Sequence, residues 1–127
     1  MHFDSRFEGG NLHKAVRVTE KEYNLVLSYD TETSGHTQWF YFSVKNRKVG
    51  SFKFNIVNLI KPDSLYNEGM QPVVWSKTQN WTKGTEWFRS GYNISYFQNE
   101  SQRHTTDRHG KKHVIGKFAT LSFTLDF

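Results

Sequence analysis

The segment "ATLSFTLDF", residues 119–127, alternates without a break. Leu121, Phe123, Leu125 and Phe127 fall on one side, Thr120, Ser122, Thr124 and Asp126 on the other. A period of two is that of a strand with one dry face. The same pattern recurs outward along the chain. "EYNLVLSY" (22–29) aligns Tyr23, Leu25, Leu27 and Tyr29. "SFKFNIVN" (51–58) aligns Phe52, Phe54 and Ile56 against Lys53 and Asn55. "YNISYF" (92–97) aligns Tyr92, Ile94 and Tyr96. "KAVRV" (14–18) and "PVVWS" (72–76) are shorter candidates. Turn signals lie between them: "DTETSG", "KNRKVG", "NEGMQP", "TKGTE" and "DRHGKK". Short strands at this spacing predict an all-β fold, an antiparallel β-sandwich forming a single domain over residues 1–127. "KPDSLYNEG" (61–69) has room for one helical turn, with Ser64 as N-cap and Gly69 as the stop.

One stretch departs from the one-sided pattern. "HTQWFYFSV" (36–44) reads as a strand with Trp39 and Tyr41 on one side and Phe40, Phe42 and Val44 on the other. Large aromatic groups on both faces need two covers. A two-layer sandwich supplies one. The second is expected from a neighbouring domain, or from a loop of the same chain that buries the strand twice.

Composition agrees with an aromatic β fold. Of 127 residues, 17% are aromatic, with 11 Phe, 6 Tyr and 4 Trp, and such side chains suit a pleated surface. There is no cysteine, which excludes disulfides, thiolate metal sites and a cysteine nucleophile. The opening "MHFDSRFEGG" has no apolar core of a signal peptide, and no run is long enough to span a membrane, so a cytoplasmic protein is expected. The sequons at Asn80, Asn93 and Asn99 then carry no meaning. The final strand runs to the last residue, which predicts continuation into a further domain.

Catalytic chemistry is not visible. "GTEWFRSG" lacks the strand-loop-helix setting of a phosphate loop, and no nucleophile elbow occurs. Asp30 with Glu32, and Glu20 with Glu22, read as surface acids. His109 and His113 are four apart, but Gly110 interrupts any helix and the setting is a charged turn, so no metal site is expected.

The formal net charge of +5 favours anionic partners. "RHTTDRHGKKH" (103–113) concentrates Arg103, Arg108, Lys111 and Lys112 against Asp107 alone. Between strand-like flanks it is expected to be a long hairpin loop able to steer acidic chains. Nucleic acid is the weaker partner, because the aromatic residues lie in the strands and not in this loop.

Four blocks in order also resemble a known family. They are "FEGGNL" (7–12), "YDTET" with "HTQWFYFSV", "FNIVNLIKPDSLYNEGMQPVVWS" (54–76) and "WFRSGYNISYFQN" (87–99), followed by the closing "TLSFTLDF". Together they resemble the N-terminal domain of the cytosolic carboxypeptidases, the tubulin-deglutamylating branch of the zinc metallocarboxypeptidases. Gly9, Trp75 and Phe97 depart mildly from the family pattern. The resemblance implies a β-sandwich packed beside a catalytic domain. It implies a parent enzyme that removes glutamates from tubulin and other acidic proteins and that associates with microtubules, cilia or basal bodies. The family's zinc-binding H-x-x-E belongs to that following domain. No catalytic or metal residue therefore falls on this chain, and its only implied zinc is the parent's.

The expected contact surface for the catalytic domain comprises Trp39, Tyr41, Met70, Pro72, Trp75 and Arg89. Trp87 is expected in the core. The alternative is a free-standing β-sandwich module that binds carbohydrate, or single-stranded nucleic acid, on its aromatic residues.

Overall fold

The structure is a computed structural model that describes residues 1–28, 39–77 and 86–127. The chain forms β1 (His2–Asp4), β2 (Leu12–Thr19), β3 (Glu22–Leu27), β4 (Ser43–Lys45) and β5 (Ser51–Leu59). A short 3-10 helix, Leu65–Glu68, follows, then β6 (Val73–Trp75), β7 (Trp87–Arg89), β8 (Tyr92–Thr106) and β9 (Lys112–Asp126). Five strands make one sheet in the order β2-β3-β5-β9-β8, and β1-β4 and β6-β7 form two small ribbons.

The alternating residues place the core on one face of the large sheet. Tyr23, Leu25 and Leu27 of β3 meet Phe52, Phe54 and Ile56 of β5 and Leu121 and Phe123 of β9, all buried. Phe3, Phe40, Phe42 and Tyr66 pack onto this cluster from the second layer. Phe40 stacks on Phe123 at 6.2 Å, and Phe3 meets Phe54 edge-on at 6.2 Å. The all-β fold of the sequence reading stands.

Pairing is not antiparallel throughout. β3 and β5 run parallel, with Tyr23 opposite Phe54 and Leu25 opposite Ile56. Parallel neighbours need a crossover of a dozen or more residues. Here residues 28–50 connect the two strands and carry Phe40 and Phe42 onto the core. Asn58 extends the ladder with its side chain. Its Oδ1 accepts from the Leu27 N–H at 2.8 Å, and its Nδ2 donates to the Leu27 carbonyl at 2.9 Å.

The opposite face of the sheet is largely polar, with Val16 and Phe97 exposed on it. Asn55 donates to Glu22 and to Asn24 and accepts from the Ser122 hydroxyl, which ties β3, β5 and β9 together through side chains. Tyr92 belongs to this face, not to that of Ile94 and Tyr96. A bulge between Tyr92 and Ser95 adds one residue, and Asn93 absorbs it at φ 50°. Asparagine tolerates that left-handed region better than most residues. The Tyr92 hydroxyl then donates to Asp126 at 2.6 Å and lies 2.9 Å from the Ser51 hydroxyl.

The helical turn predicted at residues 61–69 is present. Ser64 accepts from the Tyr66 N–H at its start, and Gly69 ends it at φ 98°. Of the strand expected over residues 36–44, the described part is shorter than predicted. Among the described residues only Ser43–Lys45 pairs as a strand there, against β1. The expectations placed on Tyr29, Asp30, Glu32, His36–Gln38 and Asn80, and on most of the two turns "DTETSG" and "TKGTE", lie outside the described residues.

Candidate docking surface and basic arm

Trp39–Phe42 is not hydrogen-bonded as a strand, so something else must hold it extended. Asn11 does so. Its Nδ2 donates to the Trp39 carbonyl at 2.8 Å, and its Oδ1 accepts from the Tyr41 N–H at 2.7 Å. Its own backbone N–H donates to the Tyr41 carbonyl at 2.9 Å. Asn11 is 9% exposed, so these bonds are largely shielded from water. The turn before it is tight: a side chain at Gly10 would collide with the backbone of Ser5.

Held this way, the segment keeps its alternation. Phe40 and Phe42 face the core, whereas Trp39 is 47% exposed and Tyr41 39%. Tyr41 is the hub of an outer cluster. It meets Phe7 edge-on at 4.9 Å and Trp87 at 5.9 Å and 64°. Trp87 lies opposite Trp75 in the β6-β7 ribbon. Trp87 is 53% exposed and Trp75 44%, so Trp87 is a surface residue and not the core residue expected of it. The result is an aromatic surface of Phe7, Trp39, Tyr41, Trp75 and Trp87, each more than a third exposed.

Of the three other residues expected on the contact surface, Pro72 is placed differently. Pro72 is fully buried and cannot touch a partner. The tight link between β7 and β8 passes over it, with the Ser90 N–H donating to the Pro72 carbonyl at 3.0 Å. Met70 is half-buried, its N–H donating to the Leu65 carbonyl at 3.1 Å. Arg89 is exposed but spends one guanidinium N–H on the Gln71 carbonyl at 2.7 Å, a bond that ties the ribbon to the chain entering it. Burial pushes the Tyr66 hydroxyl above its ordinary pKa, partly offset by the charge of Arg89.

The basic stretch forms an arm. Strand β9 pairs with β5 only from Ala119 onward, so residues 112–117 pair with β8 alone. The expected long loop is instead a short turn, Asp107–Lys111, between strands that reach Thr106 and resume at Lys112. Arg103 and Lys112 therefore sit on strands and not in a loop. Asp107 builds the turn. Its Oδ1 accepts from the N–H groups of His109 and Lys111, both at 2.9 Å, and its Oδ2 lies 2.8 Å from His113 Nε2.

The imidazole of His113, followed by the Lys111 N–H, holds the Asp107 carboxyl below the usual carboxylate range. A depressed pKa of this kind adds stability above the unfolded value near 4, which is lost as pH falls through the folded one. Amide protection at His109 and Lys111 is therefore expected at neutral pH and is lost as the carboxyl protonates, below the ordinary carboxylate range. Asp107→Ala should show fast exchange at those amides at every pH. Equal protection in the variant would show that the turn does not depend on this carboxylate.

Among the described residues no three His, Cys, Asp or Glu side chains converge on a common point. His113, half of the spaced histidine pair, is engaged by Asp107. These residues do not fit a zinc site.

A family model described as the cytosolic carboxypeptidase N-terminal domain matches residues 3–115. The chain belongs to that family. Cytosolic carboxypeptidase 2 of Homo sapiens is 51% identical over 78% of this chain. Cytosolic carboxypeptidase 4 of Mus musculus is 39% identical over 98% of it, and cytosolic carboxypeptidase 1 of Gallus gallus 37% identical over 100%. The chain spans only 11%, 11% and 10% of these three relatives. What matches is thus one module of much longer carboxypeptidases. Among the described residues no helix is long and apolar enough to cross a membrane.

Sequence reasoning missed Asn11, Phe7 and the exposure of Trp87. Asn11 and Phe7 lie in the "FEGGNL" block, whose polar and apolar letters carry no period. Its two glycines were the available signal, because they mark a turn.

Proposed function

We propose that this chain is the non-catalytic N-terminal domain of a cytosolic zinc carboxypeptidase, and that its aromatic surface docks the catalytic domain and stabilises it. The parent enzyme removes glutamates from tubulin and other acidic protein tails, in the cytoplasm. Zinc and the groups that activate water lie in the catalytic domain, and residues of this chain take no part in the bond cleavage. The observation that carries the reading is the Phe7–Tyr41–Trp87 cluster with Trp39 and Trp75 beside it, half-exposed and on the opposite side of its segment from the core. Exposed apolar patches of this kind mark interaction surfaces, and Trp and Tyr dominate the energetic centres of interfaces. The occupant follows from length: the relatives extend far beyond the matched tenth.

The rings favour a protein partner over a sugar. Tyr41 stands edge-on to both Phe7 and Trp87, so the cluster is corrugated and offers no flat stacking platform.

Trp39→Ala with Trp87→Ala is the test. Each side chain is already about half in water, so the isolated chain is expected to lose only the buried half of each, about 2–4 kcal/mol for the pair. The parent carboxypeptidase should lose more, with a lower melting temperature and reduced turnover of polyglutamylated substrate. Equal losses in the chain and in the parent would refute docking through this surface.

A further inference from the structure

Four of the chain's five net positive charges sit on the β8–β9 arm. Between Gln102 and Lys117 the cations are Arg103, Arg108, Lys111, Lys112 and Lys117, and the only acid is Asp107. Asp107 is occupied by the turn amides and His113, and Lys117 is bridged to Glu100 at 3.1 Å. Among the described residues Arg103, Arg108, Lys111 and Lys112 have no ion-pair partner. The rest of the molecule is close to neutral, so the field is local to the arm.

The register distributes these cations. Arg103 lies opposite Gly116, and Lys112 lies opposite Thr106, three positions further along β8. Three positions is an odd step, so Arg103 and Lys112 project from opposite faces of the ribbon. Arg108 and Lys111 lie in the turn at its tip. β8 is the last strand of the sheet, so its outer edge has no strand partner among the described residues. From Gln102 outward the arm has five residues of β8, about 17 Å at ~3.3 Å per residue. Val114 and Ile115 are both more than half exposed on it.

We propose that this arm binds an extended acidic polypeptide segment, added as a strand along the free edge of β8 and read by Arg103, Arg108, Lys111 and Lys112. Strand addition supplies backbone hydrogen bonds to an open edge. Successive side chains of an added strand point to opposite faces, so a run of glutamates presents carboxylates to both sides of the ribbon. That matches cations on both sides. A nucleic-acid backbone offers its phosphates to one side, would want more contacts than four, and would want exposed aromatic rings among the cations. The arm carries none between Gln102 and Lys117. The site is on this chain itself and does not depend on docking of the catalytic domain.

The experiment titrates the chain into a fluorescein-labelled oligoglutamate peptide at low salt and follows anisotropy. An oligothymidylate of matched charge is run beside it. Lys111→Glu with Lys112→Glu is expected to weaken peptide binding by about tenfold or more, and added salt should weaken it as well. Arg47→Glu with Lys48→Glu, the same change in net charge made off the arm, should weaken it far less. Amide shifts on adding peptide should map to residues 102–117, β8 included. Tighter binding of the oligothymidylate would overturn the proposal in favour of nucleic acid. Equal effects of the two charge reversals, or shifts that leave β8 untouched, would overturn it outright.

Discussion

Asn11→Ala is expected to destabilise the chain by about 1–3 kcal/mol, because a partly buried donor and a partly buried acceptor each lose a partner. The side chain satisfies the Trp39 carbonyl and the Tyr41 N–H at once. Alanine leaves only the backbone bond from Asn11 to Tyr41. Asn11→Asp keeps an acceptor for the Tyr41 N–H but sets a carboxylate oxygen against the Trp39 carbonyl in a shielded site, so its loss should be no smaller. Urea unfolding gives the energies, and the Tyr41 amide should exchange faster in the alanine variant. The functional consequence follows from placement, since this residue orients Trp39 and Tyr41 outward. A loss below about 0.5 kcal/mol would mean that Phe40 and Phe42 alone anchor the segment.

Phe54→Ala should cost more, about 3–5 kcal/mol, the usual range for emptying a large aromatic site in a core. Phe54 is 1% exposed and lies within 6.3 Å, ring to ring, of Phe3, Tyr23, Phe123 and Phe127. It therefore joins β1, β3, β5 and β9 in one cluster. Typical domains are stable by only about 5–15 kcal/mol, so the variant sits near the edge of folding. The measurement is the urea midpoint at constant slope. Phe54→Leu, which keeps most of the volume, should recover much of the loss. An alanine variant within about 1 kcal/mol of the parent chain would show a core that collapses around the gap, and a looser packing than these ring distances imply.

Much of the fold is legible where one face is dry. In β3, β5 and β9 the period of two names the buried residues directly, and all of Leu25, Leu27, Phe52, Phe54, Ile56, Leu121 and Phe123 are in the core. The order of strands is not legible, because alternation is local and pairing is not. Nothing in "EYNLVLSY" or "SFKFNIVN" says that they lie parallel. That follows from where the crossover lays Phe40 and Phe42. Tyr92 shows a subtler limit. One residue at positive φ, Asn93, turns it to the other face and so breaks the predicted set with Ile94 and Tyr96.

The surface was partly legible. The two-sided aromatic stretch is real in its alternation, although Asn11 and not a neighbouring strand holds Trp39–Phe42. Residue type alone misplaced Pro72 and Trp87: a proline near a turn can be buried, and a tryptophan can stand in solvent. The basic residues were found by charge, but their separation onto two faces and a tip depends on register, which the sequence does not display.

The central claim is that the outward rings are covered in the parent protein. Hydroxyl-radical footprinting of Trp39, Tyr41, Trp75 and Trp87 tests it directly, comparing residues 1–127 alone with the same residues in the parent carboxypeptidase. The account predicts strong labelling in the isolated chain and several-fold protection of all four in the parent. Equal labelling in both would contradict it.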